Sequence, residues 1–233
     1  MRSLDDIRSS LSLRRFLIEL NVQMDAVNKW TEENGTKDHF SSLNHEYFIN
    51  DKLPLIVTDI LHLEDRRFFR HRGFEMRAIA RGLKRYLRYR KLGGVSTIDQ
   101  LLVRTYLQRR ERTLARKLRE ITLAVLLNFH QTKYEILIAF VNCAYFGPGL
   151  NGADTTAEVI FGKRARDLNQ DQSAFVASLL PYPLPQNIKI ELRKYGPADH
   201  SDEILDKYAE SNPWWVSRIK KRMEYLAVLR LKH

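Results

Sequence analysis

An all-α fold is predicted by three features of this sequence. Apolar residues recur at helical spacing along nearly the whole chain. Prolines are sparse, seven in 233 residues, and four of them fall at Pro181, Pro183, Pro185 and Pro197. No internal repeat and no alternating apolar–polar run interrupts the pattern.

Taken in order, residues 1–30 read as one or two amphipathic helices, followed by a polar turn at Glu32-Glu33-Asn34-Gly35. Pro54 suits the start of a helix from about Leu55 to His71, which Gly73 ends. A second helix from about Glu75 to Lys91 runs into Gly93-Gly94, and a third opens at Ser96 as N-cap and continues to Leu107. Over 111–129, Leu114, Leu118, Ile121 and Val125 form a predicted core face at i, i+4, i+7 and i+11. A helix over 133–144 ends at Phe146-Gly147-Pro148-Gly149, and another near 170–180 stops at the proline cluster. The tail from Pro213 to Leu231 is amphipathic and carries Trp214 and Trp215. The chain so divides into an N-terminal helical extension, 1–50, and a helical domain, 51–233.

Composition narrows the class. Hydrophobic residues make up 44% of the chain and charged residues 29%, enough to build a core. Thirty-nine Lys and Arg against 28 Asp and Glu leave +11, so the surface favours polyanions: nucleic acid, anionic lipid or a phosphorylated substrate. The single Cys143 excludes an intrachain disulfide and, in its apolar run, reads as a buried thiol. No HExxH or CxxC metal site is present. The N-terminus lacks the apolar core of a signal peptide, and windows such as ITLAVLL fall short of the ~20 residues that span a bilayer. The chain is expected to be soluble or peripheral.

Four constellations carry chemistry. In Glu64-Asp65-Arg66-Arg67-Phe68-Phe69-Arg70-His71-Arg72-Gly73, helical spacing would set Glu64, Phe68 and His71 on one face; a charged surface helix satisfies the same spacing. Gly93-Gly94-Val95-Ser96-Thr97-Ile98-Asp99-Gln100 offers backbone N–H groups and hydroxyls to an anion, or is a capped helix after a turn. Arg112, Arg116, Lys117 and Glu120 form a cationic stripe ending in a carboxylate, suited to a diphosphate or to intrahelical ion pairs. Arg77, Arg81, Lys84, Arg88 and Lys91 line one face opposite Ile79, Leu83 and Tyr86, able to meet anionic lipid or simply water. A nucleic-acid role would rest on net charge alone, because no recognition motif supports it.

In order and spacing, these segments resemble the peptidoglycan glycosyltransferases (glycosyltransferase family 51), the polymerising domain of class A penicillin-binding proteins and of monofunctional transglycosylases. EDxxFxxHxG is matched at Glu64, Asp65, Phe68, His71 and Gly73, and GxSTIxQQ at Gly94, Ser96, Thr97, Ile98 and Gln100. RKxxE is matched at Arg116-Lys117-Leu118-Arg119-Glu120, with Arg112 upstream. The fourth motif appears as Ile136-Leu137, Val141-Asn142 and Tyr145-Phe146-Gly147-Pro148-Gly149, and the resemblance covers roughly residues 50 to 190.

The resemblance implies a lysozyme-like helical fold with a large and a small lobe over 51–233. It implies inverting polymerisation of lipid II, a disaccharide-peptide on undecaprenyl diphosphate, for cell-wall biogenesis and cell shape. Glu64 would be the catalytic base and Glu120 a second catalytic carboxylate orienting cations. Asp65, Phe68, His71, Ser96, Thr97, Gln100, Arg104, Arg112, Lys117 and Asn142 would bind substrate. Its partners would be lipid II, the growing glycan chain, an anionic membrane surface and cell-wall synthesis proteins, not nucleic acid. No cofactor is required by the sequence, although a divalent cation (Mg or Mn) is compatible with the family. The expected location is peripheral, at the outer face of the bacterial cytoplasmic membrane.

A diphosphate leaves without a general acid, so such a site needs one base and cations for the departing charge. Arg66, Arg67 and Arg70 are expected to hold Glu64 ionised, in contrast to the apolar setting of a lysozyme-type acid. Leu101 replaces the family's second glutamine, Arg104 a usual lysine and Ile138 a common glutamate. These departures open an alternative: a weakened homologue that binds lipid-linked glycan or a cell-wall partner.

Overall fold

The computed structural model describes residues 18, 22–33, 53–89, 96–107 and 113–231. These residues build an all-α fold, as expected. In chain order the helices are α1 (22–33), α2 (Leu55–Glu64), α3 (Met76–Tyr89), α4 (Ile98–Leu107), α5 (Leu114–His130), α6 (Lys133–Cys143), α7 (Ala153–Phe161), α8 (Gln170–Ser178), α9 (Gln186–Tyr195), α10 (Ser201–Lys207) and α11 (Pro213–Arg230). A two-stranded antiparallel hairpin, β1 (Tyr145–Gly147) and β2 (Leu150–Asn151), separates α6 from α7.

The core is one cluster. α4 packs on α5 and α6, while α2 packs on α8 and α11. Met24 and Val27 of α1 belong to this same core, and Trp30 lies 5.4 Å from Tyr106 between ring centroids. The described part of the N-terminal extension is therefore packed onto the domain. Cys143 is a buried free thiol, as its apolar run implies.

Several elements differ from expectation, among them the turn placed at Glu32-Glu33, which α1 includes. The first helix stops at Glu64, not His71: Asp65 leaves helical geometry at φ −155°, ψ 77°, and a 3-10 turn follows at Phe68–Arg70. Asp65 turns inward because its carboxylate accepts a hydrogen bond from the Ile98 amide at 3.1 Å, satisfying an otherwise open donor at the start of α4. Glu64 thus ends a helix instead of lining one with Phe68 and His71.

At α4 the capping residue is Thr97, whose hydroxyl accepts from the Gln100 amide at 3.4 Å, one position later than the Ser96 expected. On α5 the sealed face is Glu120, Leu123, Ala124 and Leu127, whereas Leu118 of the predicted core stripe is 65% exposed. Apolar residues populate more than one side of α5, and the ion pairs of Glu120 draw its own side inward. The hairpin at Tyr145–Asn151 was not foreseen, being too short for an alternation signal.

Candidate active site

Glu64 is delivered by α2, which is anchored through Ile56, Val57, Ile60 and Leu61. It is recessed, its side chain 16% exposed, and its Oε1 lies 2.6 Å from Nη2 of Arg222 on α11. Burial raises the Glu64 pKa above the ordinary carboxylate value; Arg222 opposes this by charge and hydrogen bond, and Asp65 reinforces it. This corrects the expectation that Arg66, Arg67 and Arg70 hold Glu64 ionised. Arg66 and Arg70 are exposed, and Arg67 faces Glu75 with Nε 3.1 Å from Oε1. The cation that matters comes from the far end of the chain.

The residues after Glu64 build a buried charge cluster. His71 Nε2 is 2.9 Å from Asp65 Oδ2, and its Nδ1 faces Asp99 Oδ2 at 3.8 Å. Asp99, fully buried, accepts from Lys133 Nζ and Asn128 Nδ2, each at 2.7 Å. Lys133 also sits 4.2 Å from the centroid of Phe68, and burial lowers its pKa against the opposing pull of Asp99. Phe68, 1% exposed, therefore forms the floor of this cluster and offers no free surface to a substrate.

Asp65, His71 and Asp99 are the three donors that converge closely enough for a metal ion among the described residues. The Lys133 ammonium already occupies Asp99, and the two ring nitrogens of His71 face different carboxylates. This donor set fits a buried ammonium and an imidazole, not a divalent cation.

The third group is a cation cradle around Glu120, itself 1% exposed. Arg104 reaches both its oxygens, Nε to Oε1 at 3.0 Å and Nη2 to Oε2 at 3.1 Å. Arg116 pairs with Oε1, and Lys117 lies 3.7 Å from Oε2. Lys117 also donates to Ser96 Oγ at 2.9 Å and Gln100 Oε1 at 2.6 Å, while Arg104 Nη2 donates to Ser96 Oγ at 3.2 Å. Burial lowers the Lys117 pKa, Arg104 and Arg116 push the same way, and Glu120 opposes them. The carboxylate is sealed while Arg104 and Lys117 keep partial exposure. The Glu120 carboxylate is thus enclosed by the cations it pairs with.

Gly73 ties these groups together. Its carbonyl accepts from Thr97 Oγ1 at 2.8 Å and from Gln100 Nε2 at 3.0 Å. At φ +86° a Cβ here would sit 2.5 Å from the Ala124 backbone, so only glycine lets the turn lie against α5. Thr97 and Gln100 are consequently turned inward, holding the turn and Lys117, while Ser96 keeps partial exposure. Leu101, at the position of an expected amide, packs against the core.

Asn142 lies in the last turn of α6, nine residues and ~14 Å along the helix from Lys133. Gly152, folded back from the hairpin, would bring a Cβ to 2.3 Å from its carbonyl oxygen. Arg112 lies outside the described residues. Arg222, Lys133, Asp99 and Asn128 were missed by sequence reasoning. Asp99, an acidic residue inside GGVSTIDQLL, was a readable anomaly, whereas the others are ordinary polar residues on amphipathic helices.

A recessed Glu64 paired with Arg222, a cation cradle held by the buried Glu120, and a glycine turn packed against α5 thus lie on one helical domain. A family model described as transglycosylase matches residues 35–209, and the chain belongs to that family. It is 33% identical over 163 residues to penicillin-binding protein 1A of Aquifex aeolicus, covering 69% of this chain and 21% of the relative. To the biosynthetic peptidoglycan transglycosylase of Nitrosomonas eutropha it is 36% identical over 125 residues, 53% of this chain and 51% of that one. To penicillin-binding protein 4 of Bacillus subtilis it is 33% identical over 154 residues, 65% of this chain and 23% of the relative. The matched stretch thus spans between about a fifth and a half of these relatives.

Proposed function

We propose that this chain is a peptidoglycan glycosyltransferase that polymerises lipid II with inversion, Glu64 being the base. The observation that carries this reading is the division between two glutamates. Among the described residues Glu64 meets a single cation, Arg222, at one oxygen, whereas Glu120 is taken up in holding Arg104, Arg116 and Lys117.

An acceptor 4-hydroxyl hydrogen-bonds to Glu64, and its oxygen bonds to the donor's anomeric carbon from the side opposite the diphosphate. The hydroxyl proton passes to the Glu64 carboxylate. The bond from the anomeric carbon to the diphosphate oxygen breaks, and its electron pair leaves as charge on the diphosphate. Arg104 and Lys117, with Ser96 between them, meet that charge, so no protonated leaving group is needed. Positive charge in this scheme comes from side chains.

The substrate is lipid-linked, and the exposed cations of α3 support peripheral docking at an anionic membrane. Arg77, Arg81, Lys84 and Arg88 are all exposed, whereas Lys91 and the side chains of Ile79, Leu83 and Tyr86 lie outside the described residues. No helix of the described residues is long and apolar enough to cross a membrane. Replacing Arg77, Arg81 and Lys84 by Glu is expected to weaken binding to anionic vesicles at least tenfold, at about 1 kcal/mol per charge. Vesicle flotation unchanged by the substitutions would remove this surface from the proposal.

The deciding experiment is glycan-chain formation from lipid II. Wild type is expected to polymerise, and Glu64→Gln to lose a factor of about 10²–10⁴ in rate. Full rate in Glu64→Gln would sink the assignment of the base. Binding without polymer in the wild type would establish the non-catalytic homologue that Leu101 and Ile138 suggest.

A further inference from the structure

Helix α11 lies beyond the residues that match the family model, yet it reaches the catalytic helix at two points. Arg230 pairs with the buried Asp59, its Nε donating to Oδ1 at 3.0 Å, and Ser173 of α8 donates to the same carboxylate. Arg222 pairs with Glu64 at 2.6 Å. Asp59 and Glu64 are five residues apart on α2, a span of ~7.5 Å, and the arginines bridging to them are eight apart on α11, ~12 Å. The two helices are therefore laced along the length of α2 that ends in the base.

This lacing is held from below. Trp215, Val216, Ile219, Leu226 and Leu229 of α11 are buried, and Trp215 Nε1 donates to the Tyr182 carbonyl at 3.0 Å. Arg222 is accordingly placed by a packed helix and is not a loose surface side chain. Its contact with Glu64 is one-sided: Nη2 meets Oε1, and the buried Nε makes no hydrogen bond among the described residues. Such a contact limits carboxylate rotation and leaves Oε2 outside the ion pair.

We propose that Arg222 is a positioning residue for the transfer reaction, holding the Glu64 carboxylate in place and in its proton-accepting form. The proposal rests on the reading of Glu64 as the base. A recessed carboxylate without a cation favours its protonated form, and a protonated Glu64 cannot take the acceptor's proton.

The charges facing Glu64 support this assignment to Arg222. On its own chain segment, Asp65 pushes toward protonation, while Asp59 is compensated by Arg230. From α8 come the Ser173 hydroxyl and the Gln170 carbonyl, both engaged around Asp59 and Arg230; Asp171 is turned to Ser201. In the 3-10 turn at Ala165–Asp167, Arg166 and Asp167 face one another on the surface at 3.9 Å. Among the described residues, Arg222 is the cation that acts on Glu64.

The test is the pH dependence of kcat/KM for lipid II polymerisation by the full chain, for wild type, Arg222→Gln, Arg222→Lys and Glu64→Gln. Arg222→Gln is expected to move the acid limb upward by about one unit, a tenfold loss on that limb that recovers at alkaline pH. Arg222→Lys should keep the limb near its wild-type position. Isotope-edited carboxyl NMR, with the Glu64 signal assigned by its loss in Glu64→Gln, should show the same upward displacement without any turnover. A uniform loss at every pH with an unmoved Glu64 titration would reduce Arg222 to a structural contact and overturn the proposal. A faster Arg222→Gln enzyme with an unmoved limb would make it an obstructing latch, which also overturns it. If Glu64→Gln keeps full rate, the base assignment fails first; if Glu64→Gln is inactive and the Arg222→Gln limb is unmoved, the Arg222 proposal fails alone.

Discussion

Glu64 and Glu120 are both recessed glutamates in charged motifs, and the fold treats them differently. Glu120 is 1% exposed and shared among Arg104, Arg116 and Lys117, so its charge is more than neutralised. Among the described residues Glu64 has one partner, Arg222, at one oxygen. A carboxylate surrounded by cations becomes their scaffold. A carboxylate with a single partner, kept partly desolvated, stays available to a proton. On the proposed function, the count of cationic neighbours, more than burial itself, separates the organising residue from the reacting one.

Substituting each glutamate by glutamine tests this contrast most directly. Glu64→Gln is expected to lose about 10²–10⁴ in polymerisation rate while unfolding close to wild type in urea. Glu120→Gln is expected to lose activity together with about 3 kcal/mol of stability, because it leaves clustered cations without their buried counter-ion. Glu120→Gln with wild-type stability would break the contrast. Gly73→Ala probes the turn that joins the two regions. A Cβ placed 2.5 Å from the Ala124 backbone at φ +86° should cost about 2–4 kcal/mol or prevent folding, read as urea midpoint or soluble yield.

A smaller effect follows from linkage. Burial raises the folded Glu64 pKa above 4.5, so the unfolded chain gives up this proton first as pH rises. The site's contribution to stability is greatest below the unfolded value and is lost as pH climbs through the folded one. Urea unfolding from about pH 4 upward should show wild type losing stability relative to Glu64→Gln. A gap that is constant with pH would mean that Arg222 fully offsets desolvation.

Much of this was legible in the amino-acid order. Glu64, Ser96, Lys117 and Glu120 stood out because charged and hydroxyl residues punctuate apolar helices at family spacing, and the structure sets Ser96, Lys117 and Glu120 in one cradle. Phe68, Thr97 and Gln100 were readable as motif members but not by the direction they face. Phe68 floors the Lys133–Asp99 pair, and the other two hold the Gly73 carbonyl. The stripe through Leu118 misidentified the buried face of α5, since periodicity alone could not reveal that Glu120 would be drawn inward.

By itself the sequence determined the all-α class, the family and the order of its charged motifs, because helical periodicity and short motifs are local properties of the chain. Only the tertiary structure decided which cation serves which carboxylate. Arg222 is 158 residues from Glu64, Lys133 is 34 from Asp99, and Arg230 is 171 from Asp59. Charge interactions act through space at a few ångströms, so chain order leaves such pairs open until packing brings the helices together.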